Sequence, residues 1–229
     1  MILVLASIAD THAAAFAGEL PGSASVLTCN DLARGPSRLF HPNFSDSTIT
    51  AAGRTICVRE ISAVLNLLPA VFAGELSMYP AEERAYQVAE LRALLVFFLS
   101  ALPCPVINRA TPMSLTGPVQ NPAAWIALAD SAGIPLARLS AGSDRKGLLR
   151  GNGPSIEVSS IGGQVVTPSG TAADDYTRDL ARRGNFDYLR ALYRHEESGI
   201  RFLGADSYPD IRSPRNRAAL RQYLLRVAA

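Results

Sequence analysis

Two short stretches of this sequence place polar, charge-bearing residues directly after apolar runs. Asp10, Thr11 and His12 follow "ILVLASI" (Ile2 to Ile8), and Asn108 and Arg109 follow "PVI" (Pro105 to Ile107). If both runs are parallel strands, these residues gather at the carboxyl edge of one sheet, where ligands of open α/β folds bind and helix N-termini favour anions. Arg109 could hold a carboxylate or phosphate with its planar fork. Asp10, His12, Asn108 and Arg109 are therefore the candidate ligand crevice. The plainer reading is that Asp10 or Thr11 caps a helix, His12 lies on its solvated first turn, and Arg109 pairs with a surface acid.

A third stretch, "RGNGPS" (Arg150 to Ser155), has the glycines of a phosphate-cradling loop, with Arg145, Lys146 and Arg150 as candidate phosphate contacts. It lacks the Lys-Ser or Lys-Thr ending of a P-loop and precedes a strand instead of opening a helix, so a turn between strands also explains it. Other chemistries find no pattern. "RHEES" (Arg194 to Ser198) is not followed by the second histidine of a zinc-protease helix, and His12, His41 and His195 share no ligand spacing. There is no G-x-S-x-G elbow. The sequence names no catalytic residue and no metal site.

The elements that must position these residues read as α/β. "ILVLASI" is a buried strand, Asp10 caps a helix to about Leu20, and "SVLTC" (Ser25 to Cys29) is the next strand, making a βαβ unit. Thr48 to Thr50 and Arg54 to Val58 flank a hairpin turn at "AAG", and "SAVLNLL" (Ser62 to Leu68) returns to the sheet. Pro80 at a helix N1 position predicts a long helix ending near Leu102 before Pro103. A further helix runs from Pro122 to Ala132, with Gly133 after it. "IEVSSIGGQVV" predicts a hairpin turning at Gly162-Gly163. A helix is predicted over Asp174 to Arg194, then a strand in "IRFLGADSY" and a last helix capped by Ser213. The boundary falls near residue 115, giving domains 1–115 and 116–229.

The chain's 229 residues, 48% hydrophobic, suffice for a sizeable core. Cys29, Cys57 and Cys104 are few and widely spaced, which predicts a reducing cytoplasm and no disulfide framework. Met1 to Ile8 has no basic n-region, and the longest apolar run, Ala93 to Leu102, is about half of what crosses a bilayer, so no membrane partner is expected. Residues 1–137 carry 7 Arg and 10 acidic residues (−3); residues 138–229 carry 14 Arg, 1 Lys and 10 acidic residues (+5). Arg215, Arg217, Arg221 and Arg226 on the last helix could follow a nucleic acid, but no aromatic residues interleave with them. An acidic protein partner suits that helix better.

"ILVLASIADTHAAAF", the hairpin around Gly53, "EISAVLNL", "PVINRATP" and "NPAAWIALADSAGIPLARL", in that order, resemble the N-terminal part of the ATP-grasp superfamily, the domain that precedes the ATP-grasp fold proper. Beyond Arg138, "IEVSSIGGQVV" and "GIRFLGAD" are similar to later strands of such proteins. The resemblance implies an N-terminal parallel-sheet, Rossmann-like domain with a small α+β C-terminal part. It also implies ATP held by two lysines, with magnesium held by acids and an asparagine near the chain end. Here Lys146 is the only lysine, and no acidic residue follows Asp210. These departures predict a reduced, non-catalytic relative: a pseudoenzyme with no ATP or magnesium, acting as a binding or scaffold subunit. Its partner would be a ligase or kinase of the same pathway, or a second copy of itself. The alternatives are a nucleotide-binding ligase-like enzyme completed by a partner chain, and a basic module for nucleic acid.

Overall fold

The computed structural model describes residues 1–22, 24–40, 42–118, 121–137, 155–166 and 168–229. They form two compact units, Met1–Pro118 with Asp210–Ala229, and Val119–Pro209.

The first unit is built on a parallel sheet in the order β2-β1-β5-β6, with β1 Ile2–Leu5, β2 Ala24–Leu27, β5 Ala63–Asn66 and β6 Val106–Ile107. All four residues of β1 and of β5 are buried. This is why both read as unbroken apolar runs instead of alternating ones. Between β1 and β2 lies α1 (Thr11–Glu19), and after β2 comes a short helix, α2 (Cys29–Arg34), started by a reciprocal capping box between Thr28 and Asp31. A β3–β4 hairpin (Thr48–Ala51 and Arg54–Cys57) precedes β5. The long helix α3 (Arg84–Ala101) follows β5 and buries Leu91, Leu95, Phe98 and Leu99 in the same core as Leu3, Leu5, Leu27 and Val64. It begins four residues later than Pro80 predicts. Pro80 to Glu83 form turns instead, and Arg84 Nε donates to the Tyr79 carbonyl at 3.0 Å.

The last helix, α6 (Pro214–Val227), packs on β5. Arg217 donates two hydrogen bonds to Glu19 of α1, at 2.8 and 2.5 Å, and stands over the Phe16 ring. The first compact unit runs to Pro118, where the sequence suggests a domain boundary near residue 115, and residues 210–229 pack with it instead of with the second unit.

Cys29 opens α2 with its thiol fully buried. Burial, reinforced by the negative charge of nearby Glu75, pushes its pKa up to about 12. Burial also raises Cys104. At pH 8 a folded sample treated with iodoacetamide should therefore label at the half-buried Cys57 alone. Peptide mapping that found Cys29 alkylated before unfolding would contradict this packing.

In the second unit, α4 (Pro122–Ser131) is followed by an antiparallel sheet in the order β10-β9-β7-β8. The strands are β7 Ser155–Ile161, β8 Gln164–Val165, β9 Tyr188–Glu196 and β10 Gly199–Asp206. The β7–β8 turn takes positive φ at Gly162 (56°) and Gly163 (77°), the conformation glycine tolerates best. Helix α5 (Ala172–Arg183) covers one face of this sheet, where Thr177 Oγ1 and the Tyr193 hydroxyl lie 2.9 Å apart. The helix predicted over Asp174 to Arg194 is thus corrected. It ends at Gly184, where a Cβ would overlap the Phe186 ring, and residues 188–196 are a strand paired on both sides.

Candidate functional site

The predicted crevice at the sheet edge of the first unit is used for helix ends. Asp10 Oδ1 accepts from the backbone N–H groups of His12 and Ala13, both at 3.0 Å, and so caps α1; His12 is exposed on the first turn. Asn108 is buried just past β6, joined to Ile107 by a cis peptide bond. Arg109 turns back onto the end of α3. Its Nη1 donates to the carbonyls of Leu99 (2.9 Å), Ser100 (3.3 Å) and Leu102 (3.1 Å), and Nη2 donates to Cys104 (2.8 Å). A cation there satisfies the unpaired carbonyls and the negative end of the helix dipole. Among the described residues no hydrogen bond or ion pair joins Arg109 to Asp10 or His12. Arg145, Lys146 and Arg150, the candidate phosphate contacts, lie outside the described residues.

The second unit holds a site that the sequence reading missed. A cavity of about 370 Å³ is bounded, among the described residues, by Pro122, Trp125 and Ile126 of α4, by Leu203 to Asp206 of β10, and by Glu157, Arg190 and Leu192. That volume lies in the range of small-ligand pockets. Period-two alternation explains the chemistry. Leu189, Ala191 and Tyr193 join the core beneath α5, while Arg190 and Leu192 take the opposite face. Register sets Glu157 beside Leu192 and Leu192 beside Gly204, with Asp206 beside Arg190. Gly204 contributes no side chain, and a Cβ built on it would meet nothing within 4 Å. Trp125 is packed against Phe186, with ring centroids 5.1 Å apart.

The polar end is an ion pair with a carboxylate beside it. Asp206 Oδ2 accepts from Arg190 Nε at 2.9 Å and Nη2 at 2.6 Å, and Oδ1 accepts from the Tyr208 N–H at 3.2 Å. Burial disfavours the Arg190 charge, but the hydrogen bond and charge of Asp206 outweigh it and raise its pKa. Glu157 is exposed; its side chain makes no hydrogen bond or ion pair among the described residues, and its charge adds to that of Asp206 in favouring charged Arg190. The signal that could have found this site is weak in sequence, because its lining comes from four separated segments.

Magnesium needs oxygen ligands, and a nucleotide's phosphates need cations. Among the described residues no three His, Cys, Asp or Glu side chains are grouped to hold a metal ion. Among the described residues the only cation lining the cavity is Arg190, already held by Asp206. The described residues therefore do not fit a magnesium nucleotide by themselves.

No family model matches the sequence, and no curated protein matches it. Solved structures do match its fold. The ATP-grasp ligase PsnB, complexed with a phosphomimetic variant of its minimal precursor, Mg and ADP, superposes with a TM-score of 0.73 at 16% identity, covering 100% of this chain and 98% of that one. The macrocyclase MdnC from Microcystis aeruginosa, bound with precursor peptide MdnA, gives 0.72 at 9% identity over 99% and 100% of the two chains. A RiPP-associated ATP-grasp ligase of Chryseobacterium gregarium, in complex with ADP and a leader and core peptide, gives 0.63 at 10% identity over 98% and 96%. No helix among the described residues is long and apolar enough to cross a membrane. A parallel sheet in the first unit, an antiparallel sheet in the second and agreement with these structures along the whole chain show that this protein has the ATP-grasp fold.

Proposed function

We propose that the chain is a ligase-like ATP-grasp protein that engages a peptide partner and binds nucleotide, with a partner chain completing its site. The observation that carries this reading is the end-to-end agreement in fold with ligases whose structures contain precursor peptides and, in PsnB and the Chryseobacterium protein, ADP. Arg145, Lys146 and Arg150 are its proposed phosphate contacts, since the cavity's own cation is engaged. This chain's residues would contribute the peptide-binding surface and part of the nucleotide contact.

The test is thermal melting with ADP and ATP, each with and without magnesium. A ligand at 100 times its dissociation constant adds about 2.7 kcal/mol to the native state, a readable rise in Tm. A magnesium-dependent rise that Lys146→Ala removes is the expected result. No rise at millimolar nucleotide, in the presence of the peptide partner or not, would sink nucleotide binding. It would leave the second reading, a non-catalytic scaffold. Two observations favour that reading: a single lysine in the chain and no metal-holding group among the described residues.

A further inference from the structure

We propose that the cavity of the second unit is the seat of a basic side chain, lysine or arginine, of the peptide partner. This rests on the proposed peptide partner and goes beyond it in naming what the peptide must carry and where it is held.

The walls are apolar: Pro122, Trp125, Ile126, Leu192, Leu203 and Ala205. Such walls suit a stem of methylene groups, each contributing about 0.8 kcal/mol when removed from water. Among the described residues three charges line the space, Glu157, Arg190 and Asp206, with a formal sum of −1. Two of the three neutralise each other in the Arg190–Asp206 pair. Glu157 remains, paired in register with Leu192; its side chain has no hydrogen-bond or ion-pair partner among the described residues, though its charge also favours the charged form of Arg190.

The nature of the occupant follows from that remainder. An anionic ligand would meet the Glu157 carboxylate and find the one cation among the described lining residues already committed. A wholly apolar ligand would cover Glu157 and leave a desolvated charge unpaired, which is costly. A basic side chain satisfies both ends, burying its stem against the aliphatic walls and pairing its head with Glu157. Long basic side chains are built for such a division. Gly204 provides the depth, because any side chain at that register position would occupy the space beside Leu192.

Trp125 is the only tryptophan in the chain and lines the cavity, so its emission reports occupancy. The experiment titrates the full chain with capped pentapeptides carrying lysine, arginine, norleucine or glutamate between flanking alanines. Saturable changes are expected with the lysine and arginine peptides, and none with glutamate. Glu157→Gln should weaken the basic peptides about tenfold or more, since a charged hydrogen bond becomes a neutral one. Gly204→Leu should abolish the response while leaving the circular-dichroism melt in place, as its backbone is not in the left-handed region. Equal affinity for the norleucine peptide, saturation by glutamate, no saturation by any peptide, or insensitivity to Glu157→Gln would each overturn the assignment. A magnesium-nucleotide shift in the melting experiment alongside any of those outcomes would mean that this assignment alone had failed.

Discussion

Trp125→Ala is expected to cost the second unit about 3–5 kcal/mol, the range for deleting a large buried aromatic side chain. The indole is only 3% exposed and stacks against Phe186, in a core shared with Ile134, Val158, Leu180 and Phe202. Its loss would also merge the vacated volume with the cavity next to it, so the walls could relax less than in a closed core. Trp125→Phe keeps an aromatic ring and should lose well under half as much. Urea unfolding followed by circular dichroism measures both. A midpoint unchanged by the alanine variant would show that the indole lies outside the core.

The second large effect belongs to Asn66, at the carboxyl end of β5. Its amide is fully buried: Nδ2 donates to the Leu115 carbonyl at 2.5 Å, and Oδ1 accepts from the Leu68 N–H at 3.0 Å. One side chain therefore ties the segment after β6 across the end of β5. Asn66→Ala removes the partners of two buried backbone groups, each worth about 1–3 kcal/mol, so a loss of about 2–6 kcal/mol is expected. Asn66→Asp should be no better, because it keeps the acceptor but loses the donor and buries a charge. Thermal unfolding of the two variants checks this. A wild-type Tm in both would mean that water satisfies the freed groups.

Local chemistry made part of this fold legible. Asn121-Pro122 announced α4, and Asn121 Oδ1 does accept from the Ala124 N–H at 2.7 Å. Gly162-Gly163 announced the β7–β8 turn, and Ser213-Pro214 the start of α6. Residues 188–196 were misread because Leu, Ala and Arg favour helices when nothing competes. Here β7 and β10 pair with that segment on both sides, and tertiary pairing overrides propensity. The alternation of Leu189, Ala191 and Tyr193 with Arg190, Leu192 and Arg194 was the available sign of a strand.

The site was less legible than the fold. Asp10 and Arg109 have the right types for a ligand crevice, but the same chemistry serves helix ends, and helix ends claimed them. The cavity depends on register: only the pairing of β7 with β9 and of β9 with β10 brings Glu157, Arg190 and Asp206 together. No spacing along the chain encodes that. The expected absence of nucleotide rested on lysine count, and the agreement in fold with ADP-bound ligases reopens it as a question for the melting experiment.

Because the first unit is written in two pieces around the second, synthesis delivers them in an uneven order. Residues 119–209 emerge as a continuous stretch and can collapse as they appear, whereas β5 and α1 must wait for α6, more than a hundred residues downstream of β5. Until then the faces of β5 and α1 that α6 covers stay open to water or to a chaperone. Deleting residues 214–227 would therefore damage the beginning of the protein more than its middle.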